Sequence, residues 1–566
     1  MENPFINQSP DESHGYHFLE RTFSEYIDVR GFETMQDILF EKCTFPNFTV
    51  LESLSCRELT FMNCVFEQSL YISKSKFHSL AFFDVNVHSM DVVKNEGDVL
   101  SFRGVTCKNL EINGSYRSCQ VVSSTIEELE VDDLNPEHSH RETKISFLEN
   151  NKIKSINFTC NSCHSTILFS AGSYKDVAFE GEFKKRIAFG GNLTIDSLRF
   201  ESVICQNRLD IDQGLYDFVM LNRCQFHGLV YFSDMQRFDK PGEFRINMMM
   251  FNSTHFEKDA TIEISKLTSF SSSNCNYGEV LTINNFRDDG SGEAVRISFD
   301  SVNQGSVVVQ RTYADIAMGG INLGNIYFNE IDISHLTFSD FENKGSISFR
   351  HLRSGNMMAI QESISGKLNF LNADINLFDE IVIANSDIDG ANFQRYPEKI
   401  RSKSSSPQIG YGIKSNKHRH ANLRMVYNQL KKIAKIKGDI DNASRFESLE
   451  HRELLLSKRF GFDTILLVLN FLSNNHGRSW FQALVFTMLM GLASFMAYAS
   501  RVGINIEIEF WENYVLFFTS FPKLQFDSLE TSNRRWDVQL VIWVGRIFIS
   551  YGIYQTVAAF RKYAKS

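Results

Sequence analysis

The chain has 566 residues, 43% of them hydrophobic and 22% charged, with a formal net charge of −10. This length excludes a single small core and calls for two or more structural units. The charge is unevenly held: up to residue 398, 34 Lys and Arg face 56 Asp and Glu, whereas from Lys399 onward 24 face 12, so that a part of about −22 precedes one of about +12. Two such parts face different partners, and a basic segment beside hydrophobic spans suggests anionic lipid or nucleic acid.

The opening stretch MENPFINQSPDESHGYHFLERTF has no basic start followed by an apolar run, so no signal peptide is expected and the bulk of the chain is placed in the cytosol. Residues 1–30 are taken as an N-terminal cap. All ten cysteines lie between Cys43 and Cys275 at irregular spacings, as in MNCVF and LNRCQF. In a reducing compartment they are expected to be small buried hydrophobes, not disulfides.

Over residues 31–398 a short apolar-x-apolar motif recurs. INFT begins at Ile156, ILFS at Ile167, VAFE at Val177, IAFG at Ile187, LRFE at Leu198, LDID at Leu209, VMLN at Val219 and VYFS at Val230, a mean spacing near 10.6 residues. Each motif alternates as a half-buried strand does, and the spacing leaves no room for helices. Two strands per turn give a coil of about 21 residues, the size of one rung of a parallel β-helix. The predicted fold class is therefore mainly β: a solenoid of about 17 coils, followed by helices. The 51 phenylalanines are expected to stack from rung to rung inside it.

Several motifs suggest chemistry that the context opposes. CNSCH, from Cys160 to His164, fits a covalent haem attachment pattern, yet it sits within the regular repeat. There is no phosphate-binding glycine loop, zinc-protease helix or serine-hydrolase elbow in the chain. No catalytic residue, metal or cofactor is expected, and the chain is not expected to be an enzyme.

The periodicity breaks over 399–416, a linker rich in Ser, Gly and Lys. From 417 to 478 the spacing turns helical: Leu423, Val426, Tyr427, Leu430, Ile433 and Ala434 share a face, and Gly438 with Asp439 marks a stop and restart. A cytosolic helical hairpin is predicted. Lys399, Arg401, Lys403, Lys417, Arg419, Arg424, Lys431, Lys432 and Lys435 make this junction basic. Solvated faces and membrane-side charges explain such clusters, and an anionic ligand is the sharper expectation.

Residues 479–566 hold two long apolar runs, Trp480–Ala499 and Val538–Phe560. At about 1.5 Å per residue each reaches across a bilayer core. Thirteen Lys and Arg between Lys414 and Arg478, against four between Ser500 and Asp537, orient both ends of the pair toward the cytosol. Between the spans, Tyr514–Phe521 is apolar but too short to cross, and is either re-entrant or interfacial. Arg546 is the only charge in the second span, and neither span contains a carboxylate. In an oligomer it could face a water-filled path with Ser550, Tyr554 and Gln555, while Phe517 and Phe521 of the dip would flank the gate; snorkelling or capping of carbonyls is the alternative.

The stretches LRMVYNQLKKIAKIKGDIDNASRFESLEHREL, FLSNNHGRSW and RIFISYGIYQTVAAFRKY resemble the C-terminal part of bacterial pentapeptide-repeat proteins that carry a two-helix, ion-channel-like domain, and SDIDGANFQ at 386–394 is similar to the repeat itself. The architecture is also similar to that of the Hailong membrane effectors of anti-phage defence. The resemblance implies a homo-oligomeric channel, a tetramer by analogy, in the bacterial inner membrane with solenoid and both termini cytosolic. It further implies a nucleotide or DNA-oligomer ligand made by a partner nucleotidyltransferase. A membrane-tethered scaffold that binds a protein partner is the competing expectation.

Overall fold

The computed structural model describes residues 4–5, 15–134, 143–233, 244–264, 266–284, 294–300, 304–401, 416–458, 461–476, 478–502, 509–519 and 536–563. They form two compact units. One comprises Met1–Met358, Gly366–Asp379 and Phe393–Arg395; the other comprises Ala359–Ser365, Glu380–Asn392 and Tyr396–Ser566. The protein is a mostly parallel β-solenoid of about 16 turns followed by helices, two of which are long and apolar enough to span a membrane.

In the first unit the recurring motifs fall into two strand columns, each in parallel register. Ile145, Ile167, Ile187, Leu209 and Val230 stand above one another in one column. Ile156, Val177, Leu198, Val219 and Met249 do so in the other. The two interleaved series of the sequence are thus two faces of one coil. Alternation sends every second side chain inward, where burial of Ile, Val, Leu and Phe drives the stack. Coiling begins earlier than the expected cap boundary: Tyr16–Leu19 pairs with Ile38–Glu41, and Ile27–Arg30 with Thr49–Glu52. With a single motif each, YHFL and IDVR show no period within residues 1–30.

Phenylalanines stack along the axis as expected. Phe40, Phe61, Phe82 and Phe102 follow one another with ring centroids 5.1, 5.3 and 5.1 Å apart, and Phe328, Phe349 and Phe370 at 4.8 and 4.5 Å. These distances approach the ~4.8 Å separation of paired strands, so one rung spacing serves both backbone and rings.

Several coil corners share a local design. A residue in the left-handed region, such as Lys42, Asn63, Lys74, Ser123, Arg223 or Ser253, reverses the backbone. At these the next residue is a buried Cys, Ser or Thr that donates to the carbonyl two positions before it, whereas at others it is apolar, as with Leu54, Val85, Val203 and Ile331. Cys64 donates to Met62 (3.4 Å), Ser75 to Ser73 (2.8 Å), Ser124 to Val122 (3.0 Å), Cys224 to Asn222 (3.3 Å) and Thr254 to Asn252 (3.0 Å). All ten cysteines are buried thiols outside any disulfide. Burial pushes the Cys224 thiol up to about 12, so it stays a donor at neutral pH. Several cysteines therefore do more than fill space: they satisfy corner carbonyls where other coils use hydroxyls.

In the second unit α1 (Asn416–Ile436) and α2 (Ile440–Ser457) form the predicted hairpin, with Leu423, Val426, Tyr427, Leu430, Ile433 and Ala434 all buried. Gly438 turns it at φ 74°, and the Asp439 side chain caps α2 by accepting from the Asn442 amide at 3.1 Å. The hairpin ends at Ser457. A separate helix follows, α3 (Phe462–Asn474), then α4 (Trp480–Val502), α5 (Glu509–Thr519) and α6 (Trp536–Tyr563).

Candidate functional site

The basic junction is more neutralised than its composition suggests. Glu450 on α2 takes Lys431 at 2.6 Å and lies 3.9 Å from Arg424; Lys432 reaches Asp389 at 3.6 Å and Arg401 reaches Glu380 at 3.4 Å. Lys399, Arg419 and Lys435 are exposed and carry no ion pair among the described residues. Lys403 lies outside the described residues, as does the side chain of Lys417. The structure therefore gathers three open cations on this unit and pairs four others internally. In the solenoid, the FKKR cluster is likewise paired: Lys184 meets Glu182 and Arg186 meets the fully buried Asp210.

Two amides of α1 that the sequence reading passed over hold the edge of residues 380–392. Asn422 accepts from the Asn385 amide (2.6 Å) and donates to the Ile383 carbonyl (2.7 Å), and Gln429 accepts from the Ile388 amide (3.2 Å). Both side chains are buried. They occupy the face that also carries the apolar stripe, which is the signal for them in the sequence: polar residues at otherwise apolar positions.

The helices α4 and α6 pack through small residues. A Cβ on Gly552 would lie 2.3 Å from Thr487 Oγ1, and one on Gly545 2.8 Å from Ser494 Cβ. The hydroxyls of Thr487 and Ser494 turn back to the carbonyls of Ala483 and Met490, each at 2.7 Å, so their hydrogen bonds are met within α4 and the glycines of α6 can lie directly against them. Phe495, Tyr498, Phe510, Phe517, Val538 and Ile549 form one buried cluster that joins α4, α5 and α6. Tyr514 of α5 donates to the Met488 carbonyl at 3.0 Å, and Phe518 covers Gly491, so α5 reaches the middle of α4. Arg501 and Asp537 pair at 2.9 Å where α4 ends and α6 begins.

The gate candidates separate into two groups. Arg546, Ser550 and Tyr554 are four residues apart on α6 and share a face turned away from Gly545, Ile549, Gly552 and Ala559, which are buried. Tyr554 is 67% exposed, Ser550 is exposed and Arg546 is half-buried. No ion pair or hydrogen bond of Arg546 is found among the described residues. Phe517 and Gln555 are instead turned into the chain: Phe517 lies in the aromatic cluster, and Gln555 is buried, accepting a hydrogen bond from Asn474. Phe521 lies outside the described residues.

The short link before α4 holds a polar cluster. Tyr551 donates to Asn470 at 3.3 Å, Ser448 of α2 donates to the Asn475 carbonyl at 3.0 Å, and the rings of His451 and His476 stand 5.3 Å apart. Both ring nitrogens of His476 are buried without a hydrogen-bond partner among the described residues. Burial, and then the neighbouring His451, push His476 down to about 4.

Cys160 and Cys163 of the haem-like motif are both buried in a strand of the solenoid, and no group of three or more His, Cys, Asp or Glu able to hold a metal occurs among the described residues. No protein-family model, curated protein or solved structure matches the chain. The resemblances to pentapeptide-repeat channels and Hailong effectors therefore rest on the quoted stretches and the architecture alone.

Proposed function

We propose that the chain is one subunit of a homo-oligomeric membrane channel, with the solenoid and the α1–α2 hairpin as its ligand-sensing arm on the cytosolic side. One observation carries this reading: the Arg546, Ser550 and Tyr554 stripe of α6 faces away from the α4 contact. A guanidinium left against acyl chains near mid-bilayer costs about 2.5–3.5 kcal/mol on insertion scales, so the stripe calls for water or another subunit. Copies of α6 around an axis supply both, and a ring of arginines disfavours cations there. The depth that α5 reaches along α4 supports a re-entrant segment beside that axis.

An anionic regulator, a nucleotide or DNA oligomer, would find Lys399, Arg419 and Lys435 open. Depolarisation of an infected cell is the output that the Hailong resemblance suggests. The test is membrane potential, read by dye fluorescence in bacteria that express the full chain, a truncation before Ser479, or Arg546→Ala. Depolarisation that requires the spans and changes with Arg546→Ala is expected. If instead a foreign two-span anchor restores every activity of the chain, the spans are only a tether and the solenoid is a scaffold for a protein partner. That second reading draws on the α4–α6 contact, which is closed within one chain.

A further inference from the structure

Helix α3 is amphipathic in the inverse sense. Beyond the first turn, where Asp463 is 77% exposed, its polar side chains point into protein: Asn474 donates to Gln555 and Asn470 accepts from Tyr551, both on α6, and Ser473 and Asn474 are buried. Its apolar side chains point out: Phe462 is 88% exposed and Leu466 60%, with Ile465, Val468 and Leu472 beside them. In water this distribution is reversed from what folds a helix onto a core. It is the distribution that a surrounding of acyl chains selects, where polar groups must find partners inside the protein.

Length and flanks set how α3 meets lipid. Thirteen residues at about 1.5 Å each make about 20 Å, too short to cross. Gln482 of α4 donates to the carbonyls of Phe471 (3.1 Å) and Leu472 (3.0 Å), which ties the end of α3 to the first turn of the first span. The apolar face thereby continues into that of the spans, where Phe481 and Phe560 are exposed and Trp480 meets Phe560 at 4.9 Å. Lys458, paired with Asp463 at 2.9 Å, precedes α3 and Arg478 follows it, so cations flank the helix as they flank segments that meet anionic headgroups.

We propose that α3 is seated in the bilayer: its outer apolar face, Phe462, Ile465, Leu466 and Leu472, lies in the lipid of the leaflet that holds the Trp480 and Phe560 ends of α4 and α6. This rests on the membrane reading above. The hairpin is then joined to lipid before it is joined to α4, because Ser448 of α2 holds the Asn475 turn at the end of α3.

The experiment uses the full chain in vesicles of neutral and anionic phospholipid, carrying single nitroxide labels at Leu466→Cys, Leu472→Cys, Leu489→Cys on α4 or Lys435→Cys on α1. The native cysteines, all buried, remain unlabelled. Collisions with oxygen report lipid and collisions with a nickel chelate report water. The expected result is a several-fold higher oxygen-to-nickel ratio at 466 and 472 than at 435, approaching that at 489. Water-like values at 466 and 472 with a lipid-like value at 489 overturn the inference and leave the spans in place. Water-like values at all four overturn the membrane reading together with it. Shielding from both reagents with spin–spin broadening at 466 means that a second copy covers the face, which also overturns it.

Discussion

At several corners a left-handed residue followed by a buried Cys, Ser or Thr shows how a single side chain satisfies the backbone where a strand ends. Ser124 is fully buried; it accepts from the Val105 amide at 3.2 Å and donates to Val122. Ser124→Val should destabilise the solenoid by about 1–3 kcal/mol, because it strands a buried amide, whereas Ser124→Cys should cost less than about 1 kcal/mol. Denaturant midpoints of the two variants measure the difference. The irregular cysteine spacing hid this role, because the same position holds Cys, Ser or Thr at some corners and Leu, Val or Ile at others, and the left-handed residue before it can be Lys, Asn, Ser or Arg. Burial of the cysteines was legible; their use as donors was not, since it depends on a backbone turn that no side chain announces.

Helices and strands were legible to different degrees. Strand columns followed directly from the ten-residue period, and the buried stripe of α1 from its 3.6-residue spacing. The helix α3 was not separated from the charged hairpin, because periodicity distinguishes two faces without saying whether lipid or protein covers the apolar one. The paired cations of the junction were missed for a related reason: Glu450 is 19 residues from Lys431 in sequence and becomes its partner only when the hairpin closes.

Two outcomes belong to this scale. Gly552→Ala should weaken the α4–α6 pair by about 1–3 kcal/mol through overpacking, and adding Thr487→Ala should recover much of the loss; thermal melts in detergent test the coupling. For the joint between α2 and α3, His476 titrates near 4 when packed and near 6.5 when released. A depressed folded value means that its contribution is complete above about pH 6.5 and is lost as pH falls toward 4. Protection over 440–476, taken relative to the intrinsic exchange rate at each pH, should therefore fall in that window, and His476→Phe should flatten the response.

Across the whole molecule, charge is partitioned with function in view: acidic where the chain coils, basic where it meets the proposed membrane and ligand. If a single-stranded DNA oligomer is the regulator, its affinity should fall with salt. The combined Lys399→Ala, Arg419→Ala and Lys435→Ala variant should lower the slope of log affinity against log salt by about 2, as three phosphate contacts are lost. Lys431→Ala, which removes a cation already held by Glu450, should leave that slope nearly unchanged. Titrations at several salt concentrations decide between them. One more consequence follows from Asn422 and Gln429. A parallel coil ends in a row of backbone donors and acceptors that can template the next strand from any neighbour, which is how fibrils grow. Side-chain amides of α1 fill the Ile383 carbonyl and the Asn385 and Ile388 amides, and the Arg401 backbone pairs with Ile381 and Ile383, so together they leave that edge little with which to template polymerisation.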